Sequence, residues 1–262
     1  MKSAELTDPY AHPMIYDILH TPGTSEDVDV LERVATRFDA PGGSRRRWLE
    51  PACGSGRYLR VLASRGHRAT GIDLDAGMLD YARKGLVRRG LSRRVKLVEA
   101  DMTAFAERIG ESSHDIAFIP VNSLRHLLDA GSVRRHFHEV ARSLKPHGLY
   151  LVGISLSLYD EEDPSEDEWI GRRGSCTVRQ VVQYLPPERT TRQETVISHI
   201  EVERPSGIEV FDTTYALRSY DARQWNAALR DSGFERVGSV TDKGKDLPDF
   251  PVNYQWDVLR RV

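Results

Sequence analysis

Residues Trp48 to Asp75 read WLEPACGSGRYLRVLASRGHRATGIDLD, and this stretch decides the fold. A strand, Arg47–Glu50, runs into the turn Gly54-Ser55-Gly56. A helix follows over Gly56–Arg65, and a second strand, Ala69–Asp73, ends on an acid. Glycines at the end of a strand let backbone pass close to a ligand, because no Cβ intrudes. The helix after them aims its N-terminal N–H groups at the same place. In an open parallel sheet such turns lie at the carboxyl ends of the strands, where the ligand crevice forms.

The alternation continues outward. Further strands are expected at Val95–Glu99, Ile116–Pro120 and Leu149–Ile154, with helices at Gly77–Arg89 and Ser132–Leu144. The last helix carries one apolar stripe of Val133, Phe137, Val140, Ala141 and Leu144, and Lys145-Pro146-His147-Gly148 ends it. Strict alternation implies a parallel sheet covered on both faces. Upstream, Val28, Leu31, Val34 and Ala35 recur at helical spacing and Pro41-Gly42-Gly43 breaks the chain, so residues 1–45 read as a helical lead-in. Downstream the pattern changes. Tyr159–Glu168 is an acidic loop, and three β-rich runs follow at Cys176–Leu185, Thr195–Glu203 and Ile208–Ser219, separated by prolines and a glycine. They predict an antiparallel meander inserted into an α/β domain. A helix at Ala222–Asp231 and strands near Phe234–Val240 and Gln255–Arg260 resume the α/β pattern. The expected division is a lead-in (1–45), a main domain (46–158 and 220–262) and a β-rich insertion (159–219).

Composition narrows the partners. A net charge of −2 argues against nucleic acid, and the arginine clusters at 45–47, 88–89 and 93–94 read as solvated surface. The two cysteines, Cys53 and Cys176, offer neither metal-ligand spacing nor a disulfide framework, which suits a reducing cytoplasm and no metal. The N-terminal MKSAELTDPYAHP has no apolar signal core, and no apolar run approaches the roughly 20 residues of a membrane span.

Three ligand classes compete for the glycine turn. A phosphate-cradling loop needs Gly-Lys-Ser/Thr, where this chain has Gly56-Arg57-Tyr58. A dinucleotide fingerprint needs a third glycine, where this chain has Leu59, although that alone does not exclude the class. A nucleoside without phosphates fits the acids. Glu50, four residues before Gly54, would repel a pyrophosphate and suits an amino group. Asp73 ends the second strand, where a carboxylate can accept both ribose hydroxyls. Asp101 follows the third strand and can accept from an adenine amine.

Glu50-Pro51-Ala52-Cys53-Gly54-Ser55-Gly56 resembles the first motif, E/D-x-G/A-x-G-x-G, of class I S-adenosylmethionine-dependent methyltransferases. Gly71-Ile72-Asp73-Leu74-Asp75 with Met78-Leu79, and Glu99-Ala100-Asp101-Met102, resemble that family's second and third motifs. Leu144-Lys145-Pro146-His147-Gly148 resembles its L-x-P-G-G turn, with His147 a departure, as Ala52 is from the commoner glycine. The resemblance implies a Rossmann-like, seven-stranded, mostly parallel sheet with helices on both faces and one antiparallel strand near the C-terminus. It implies S-adenosyl-L-methionine as cofactor and S-adenosyl-L-homocysteine as product. Ala52, Gly54 and Gly56 would line the methionine part, and Glu50 would help hold its amino group. Asp73 would take the ribose, Leu74 would lie beneath the adenine, Asp101 and Met102 would hold its edge, and Met78 would close over the ring. Tyr10 and Tyr16 of the lead-in would cap the cofactor.

The acceptor is read less directly. After the fourth strand comes Pro120-Val121-Asn122-Ser123-Leu124-Arg125-His126-Leu127, which is not the Asn-Pro-Pro-Tyr of many amino-methyltransferases. It resembles the small-molecule branch, where a serine and an aliphatic follow the strand. The position and length of the insertion resemble those of methyltransferases acting on sugars, amino acids and natural products, which implies that it roofs the pocket or forms a homodimer contact. Pro120 would flank the cofactor, and His126 is the candidate base or substrate contact. Tyr184, His199 and Tyr215 of the insertion are candidates to face the pocket, and the acidic run Asp160–Glu168 could attract a cationic substrate. The leading expectation is methyl transfer to N or O of a small molecule. The alternatives are an RNA or protein methyltransferase, a cofactor-binding protein without turnover, and a nicotinamide dehydrogenase.

Overall fold

A computed structural model describes residues 12–230 and 232–262. Tyr10 and Asp231, both named above, lie outside the described residues. The chain opens with α1 (Pro13–His20) and α2 (Thr24–Arg37). Then follow β1 (Arg47–Pro51), α3 (Arg57–Ser64), β2 (Arg68–Asp73), α4 (Ala76–Arg88), β3 (Val95–Glu99), α5 (Ala106–Ile109) and β4 (His114–Ile119). A 3₁₀ turn (Ser123–His126) leads to α6 (Ala130–Ser143) and β5 (Leu144–Ile154). The insertion supplies β6 (Ser165–Arg173), β7 (Cys176–Glu188), β8 (Gln193–Arg204) and β9 (Gly207–Arg218). The chain closes with α7 (Ala222–Leu229), β10 (Phe234–Thr241) and β11 (Gln255–Arg261).

Seven strands form one sheet in the order β10-β11-β5-β4-β1-β2-β3, and β11 runs antiparallel to both of its neighbours. The order reverses at β1, so the glycine turn lies at the switch point where a crevice opens. Two apolar layers clothe the sheet. Trp48, Tyr58, Leu59, Leu62 and Phe118 pack with α2 residues on one face. Leu49, Ile72, Phe137, Val140, Tyr150 and Trp225 pack on the other. The stripe predicted for α6 is the buried one, and its start is set by Asp129, whose side chain accepts from the Ser132 amide.

The insertion is a separate four-stranded antiparallel sheet, β6-β7-β8-β9, rather than three strands after an acidic loop. Residues 165–168 of that acidic stretch begin β6, with Glu166 opposite Gln183 and Glu168 opposite Val181. Charge at these positions hid the strand, yet β6 is an edge strand, where exposed charge is tolerated and discourages further pairing. Ile15, Ile18 and Leu19 of α1 pack against Val178, Ile200 and Val202 of this second sheet. The lead-in thus bridges the insertion and the glycine turn. The Lys145-Pro146-His147-Gly148 turn lies inside β5 as a register shift between His114↔Leu144 and Ile116↔Leu149. His147 takes φ +61 there, the conformation for which glycine is the easier residue.

Candidate active site

The glycine turn is built by local backbone conformation. Ala52 sits at φ +57 and Gly54 at φ +51, so both departures from extended backbone fall in the left-handed region. Asp73 at the end of β2 clamps the turn: its Oδ2 accepts from the Gly54 amide at 2.6 Å and its Oδ1 from the Asp75 amide at 3.0 Å. Asp75 in turn caps α4 by accepting from the Met78 amide at 2.6 Å. Three consecutive demands (turn, acid, cap) are met by one short run of sequence. Burial pushes the Asp73 carboxyl up from its ordinary range, with the backbone amides opposing the shift.

Above this turn lies a cavity of about 360 Å³ lined by Tyr16, Ala52, Gly54, Asp73, Leu74, Met78, Asp101, Met102 and His126, together with Ala100, Ser123 and Leu127. Nine of the residues expected from the sequence therefore meet in one place. Leu74 is 71% exposed, an apolar side chain presented to the cavity mouth. Asp101 Oδ1 accepts from the amide and hydroxyl of Thr103, each at 2.7 Å, which fixes the carboxylate at the end of β3.

Three expected residues do not line it. Gly56, at φ +70, faces α4, where an added Cβ would stand 3.1 Å from the Ala82 methyl; its glycine serves helix packing. Pro120 follows β4 and precedes the strained pair Val121 (φ +52) and Asn122 (φ +59). Glu50, near the end of β1, is buried, with Oε2 lacking any hydrogen-bond partner. Burial pushes its carboxyl well above the usual range, against the pull of Arg57. A buried, unpartnered carboxylate oxygen is costly unless a donor reaches it.

A second cavity, of about 110 Å³, adjoins the first. Tyr16, Ser123 and His126 line both. Its remaining walls come from α1 (Ile15, Leu19, His20), from Arg57, from Val121 and Asn122 after β4, and from the inner face of the insertion (Trp169, Gln180, Tyr184, Ile200, Tyr215, Leu217). Tyr184 and Tyr215 thus take their expected places. His199 does not: it points away, its Nδ1 2.6 Å from Asp212 Oδ1. Strand parity explains both outcomes. The buried positions of β8 are Glu194, Val196, Ser198, Ile200 and Val202, and His199 is out of phase with them. His126 stacks on Tyr215, ring centroids 5.6 Å apart at 22°. Its neighbour Arg125 holds the 3₁₀ turn to the insertion by a buried ion pair with Glu194 and by donating from Nε to the Arg218 carbonyl at 2.8 Å. The strained turn before it is clamped too, the Val121 amide donating to the Tyr254 hydroxyl at 3.1 Å.

Asp17 belongs to no motif in the sequence. It is buried on α1, accepts from the Ser55 hydroxyl at 2.7 Å and pairs with Arg60 at 2.5 Å and with Arg173 of β6 at 2.7 Å. Burial alone would raise its carboxyl, but Arg60 and the hydrogen bonds hold it down at about 2. One carboxylate thereby ties the lead-in helix to the glycine turn and to the insertion. Its signal was only an acid among apolar neighbours in PMIYDILH.

Comparison with known proteins agrees with this geometry. Residues 49–148 match the family model of a methyltransferase domain. A Bacillus subtilis protein named as a methyltransferase, YqeM, is 25% identical over 192 residues, covering 72% of this chain and 73% of its own length. An S-adenosyl-L-methionine-dependent Diels-Alderase of Talaromyces variabilis, iccD, is 34% identical over 140 residues, 51% of this chain and 46% of its own. The sugar N-methyltransferase KedS8 of Streptoalloteichus shares the fold with a TM-score of 0.71 at 20% identity, over 100% of this chain and 96% of that one. A methyltransferase domain thus occupies residues 49–148, and the fold around it is shared with a solved methyltransferase. Among the described residues no helix is long and apolar enough to cross a membrane, and no cluster could hold a metal ion.

Proposed function

We propose that the chain transfers the cofactor's methyl group to a nitrogen or oxygen of a small-molecule acceptor seated in the second cavity. The observation that carries this reading is the sharing of Tyr16, Ser123 and His126 by the two cavities, which puts a ligand in one against a ligand in the other. The residues of the first cavity fit the cofactor. Ala52 and Gly54 bring bare backbone to the methionine part. Glu50, outside that lining, would hold the amino group, whose N–H would supply the donor that its Oε2 lacks. Asp73 keeps lone pairs beyond its two backbone contacts for the ribose hydroxyls. Leu74 and Met78 would flank the adenine, while Asp101 and Met102 would meet its edge.

Bound S-adenosylmethionine supplies a sulfonium methyl that is already activated for in-line displacement. What this chain adds is orientation and exclusion of water. Tyr16 covers the turn, its ring 3.4 Å from where a Cβ on Gly54 would stand. His126, steadied by Tyr215 and by the Arg125 anchor, receives the proton of a hydroxyl acceptor or contacts an amine that attacks unaided. The roof of β6–β9 limits entry to molecules of metabolite scale, and the sugar acceptor in the name of KedS8 supports the same scale. Incubation with methyl-labelled cofactor and fractionated cell extract tests this: label is expected in the small-molecule fraction. Label confined to RNA or protein would overturn the acceptor class.

A further inference from the structure

We infer that Gln180 grips the acceptor through a second hydrogen-bond donor, so that the acceptor carries at least two N–H or O–H groups, one at the methylated atom and one bound by Gln180 Oε1. This rests on the acceptor cavity of the reading above.

The inference begins with strand parity. On β7, Val178, Gln180 and Val182 are all buried and share the inner face. A glutamine between two valines on a buried face needs its polar atoms paired. Only one is: Nε2 donates to the Ser198 hydroxyl at 2.8 Å. Gln180 Oε1 is buried and has no partner, although the residue is only 6% exposed and lines the second cavity. Thr213, opposite Ser198 on β9, is in the same condition at its Oγ1. Polar side chains on three adjacent strands thus form a patch in the middle of an otherwise apolar roof, held in place by the ladder pairs Val182↔Ser198 and Ser198↔Thr213.

A buried carbonyl without a donor destabilises the protein that carries it, and an apolar side chain of similar size would not. The feature makes sense if a ligand brings the donor. The surrounding walls favour a neutral compound. Among the described residues, those lining this cavity include no carboxylate. Its one arginine, Arg57, already donates to the His20 carbonyl at 2.5 Å and to the Thr24 hydroxyl at 3.0 Å. Burial, then the nearby Arg57, lower His20 to about 3, so that imidazole is uncharged. Trp169 of β6, Tyr184 further along β7 and Tyr215 of β9 add flat apolar surface around the glutamine.

The test uses the full chain, methyl-labelled cofactor and the small-molecule fraction of a cell extract as acceptor source. Gln180→Leu is expected to bind S-adenosylhomocysteine as the wild type does in calorimetry and to melt no lower than the wild type. It should transfer label about tenfold more slowly, the size expected for one lost hydrogen bond to a buried group, with the deficit growing as the fraction is diluted. Gln180→Glu, which keeps an oxygen at the same reach, is expected to recover transfer. Wild-type transfer by Gln180→Leu, or a folded Gln180→Glu no better than the leucine variant, would overturn the inference while leaving the acceptor cavity standing. A marked fall in melting temperature for Gln180→Leu would overturn it as well, by showing a structural glutamine. No label in small molecules with the wild type would overturn the acceptor reading and this inference together.

Discussion

The floor and the roof of the site are built by opposite rules. The floor is backbone: Ala52 and Gly54 in left-handed conformations, an aspartate accepting from the turn's own amide, and a helix cap two residues later. Its parts lie within a few residues of one another along the chain. The roof is side chain. Trp169, Gln180, Tyr184, Ile200 and Tyr215 come from four strands and meet only because the strands pair in one register. A floor of this kind suits a ligand whose shape is fixed, because changing it means changing backbone. A roof of this kind can be altered one residue at a time without disturbing the floor, which suits an acceptor that differs between enzymes.

The contrast breaks most sharply at Gly54. Gly54→Val puts a β-branched residue at φ +51, a strain of about 1–2 kcal/mol, and pushes its side chain toward the Tyr16 ring. Binding of S-adenosylhomocysteine should fall below detection by calorimetry, with the melting temperature lowered only by several degrees. Normal binding by this variant would make the turn structural rather than a ligand loop.

The joint between floor and roof is Arg125. Arg125→Met leaves Glu194 buried without its cation, a loss of about 3–5 kcal/mol for a buried pair broken on one side. It also frees the 3₁₀ turn that carries His126. Thermal melting should show the destabilisation, and label transfer should fall more than cofactor affinity does. Equal losses in both would mean that floor and roof are not separable.

Glu50 sharpens the comparison through pH. An unfolded chain ionises this carboxyl near the ordinary 4.5, whereas burial raises it in the folded, cofactor-free protein. Above pH 4.5 the folded state keeps a proton that the unfolded state has released, so this group lowers stability as pH rises. Glu50→Gln is expected to melt higher than the wild type at neutral pH and to lose that advantage toward pH 4.5. It should bind S-adenosylhomocysteine several-fold more weakly, since a charge-assisted hydrogen bond becomes a neutral one. A variant that melts lower at neutral pH would show that Glu50 has a structural partner.

The same division explains what could be read from the sequence. Turn, acids and caps are local, so Ala52, Gly54, Asp73, Leu74, Met78, Asp101 and Met102 could be found from spacing along the chain and by resemblance, and they line one cavity. Gly56 belongs to the same contiguous motif, yet its missing Cβ makes room for Ala82 of α4. In the insertion, composition located strands but not their faces. Composition does not separate Tyr184 and Tyr215 from His199; only the alternation with Val182, Ile200 and Leu217 separates inward from outward. Gln180 is hard to read because a single amide among valines looks like an interruption of the pattern. β6 is hard to read because its first residues are charged, which is what an edge strand allows. Asp17 could not be found at all by local reasoning, since its partners Ser55, Arg60 and Arg173 come from distant parts of the chain.

The claim that the floor is a cofactor site is tested most directly by calorimetric titration of S-adenosylhomocysteine into the wild type and Asp73→Ala. Asp73 is held by the Gly54 and Asp75 amides, so the variant loosens the turn as well as removing the acceptors for the ribose. Charge-assisted hydrogen bonds of roughly 1.5–3 kcal/mol each are at stake. The account gives a wild type that binds and a folded variant that binds at least about tenfold more weakly. Equal affinity in the two proteins would contradict it.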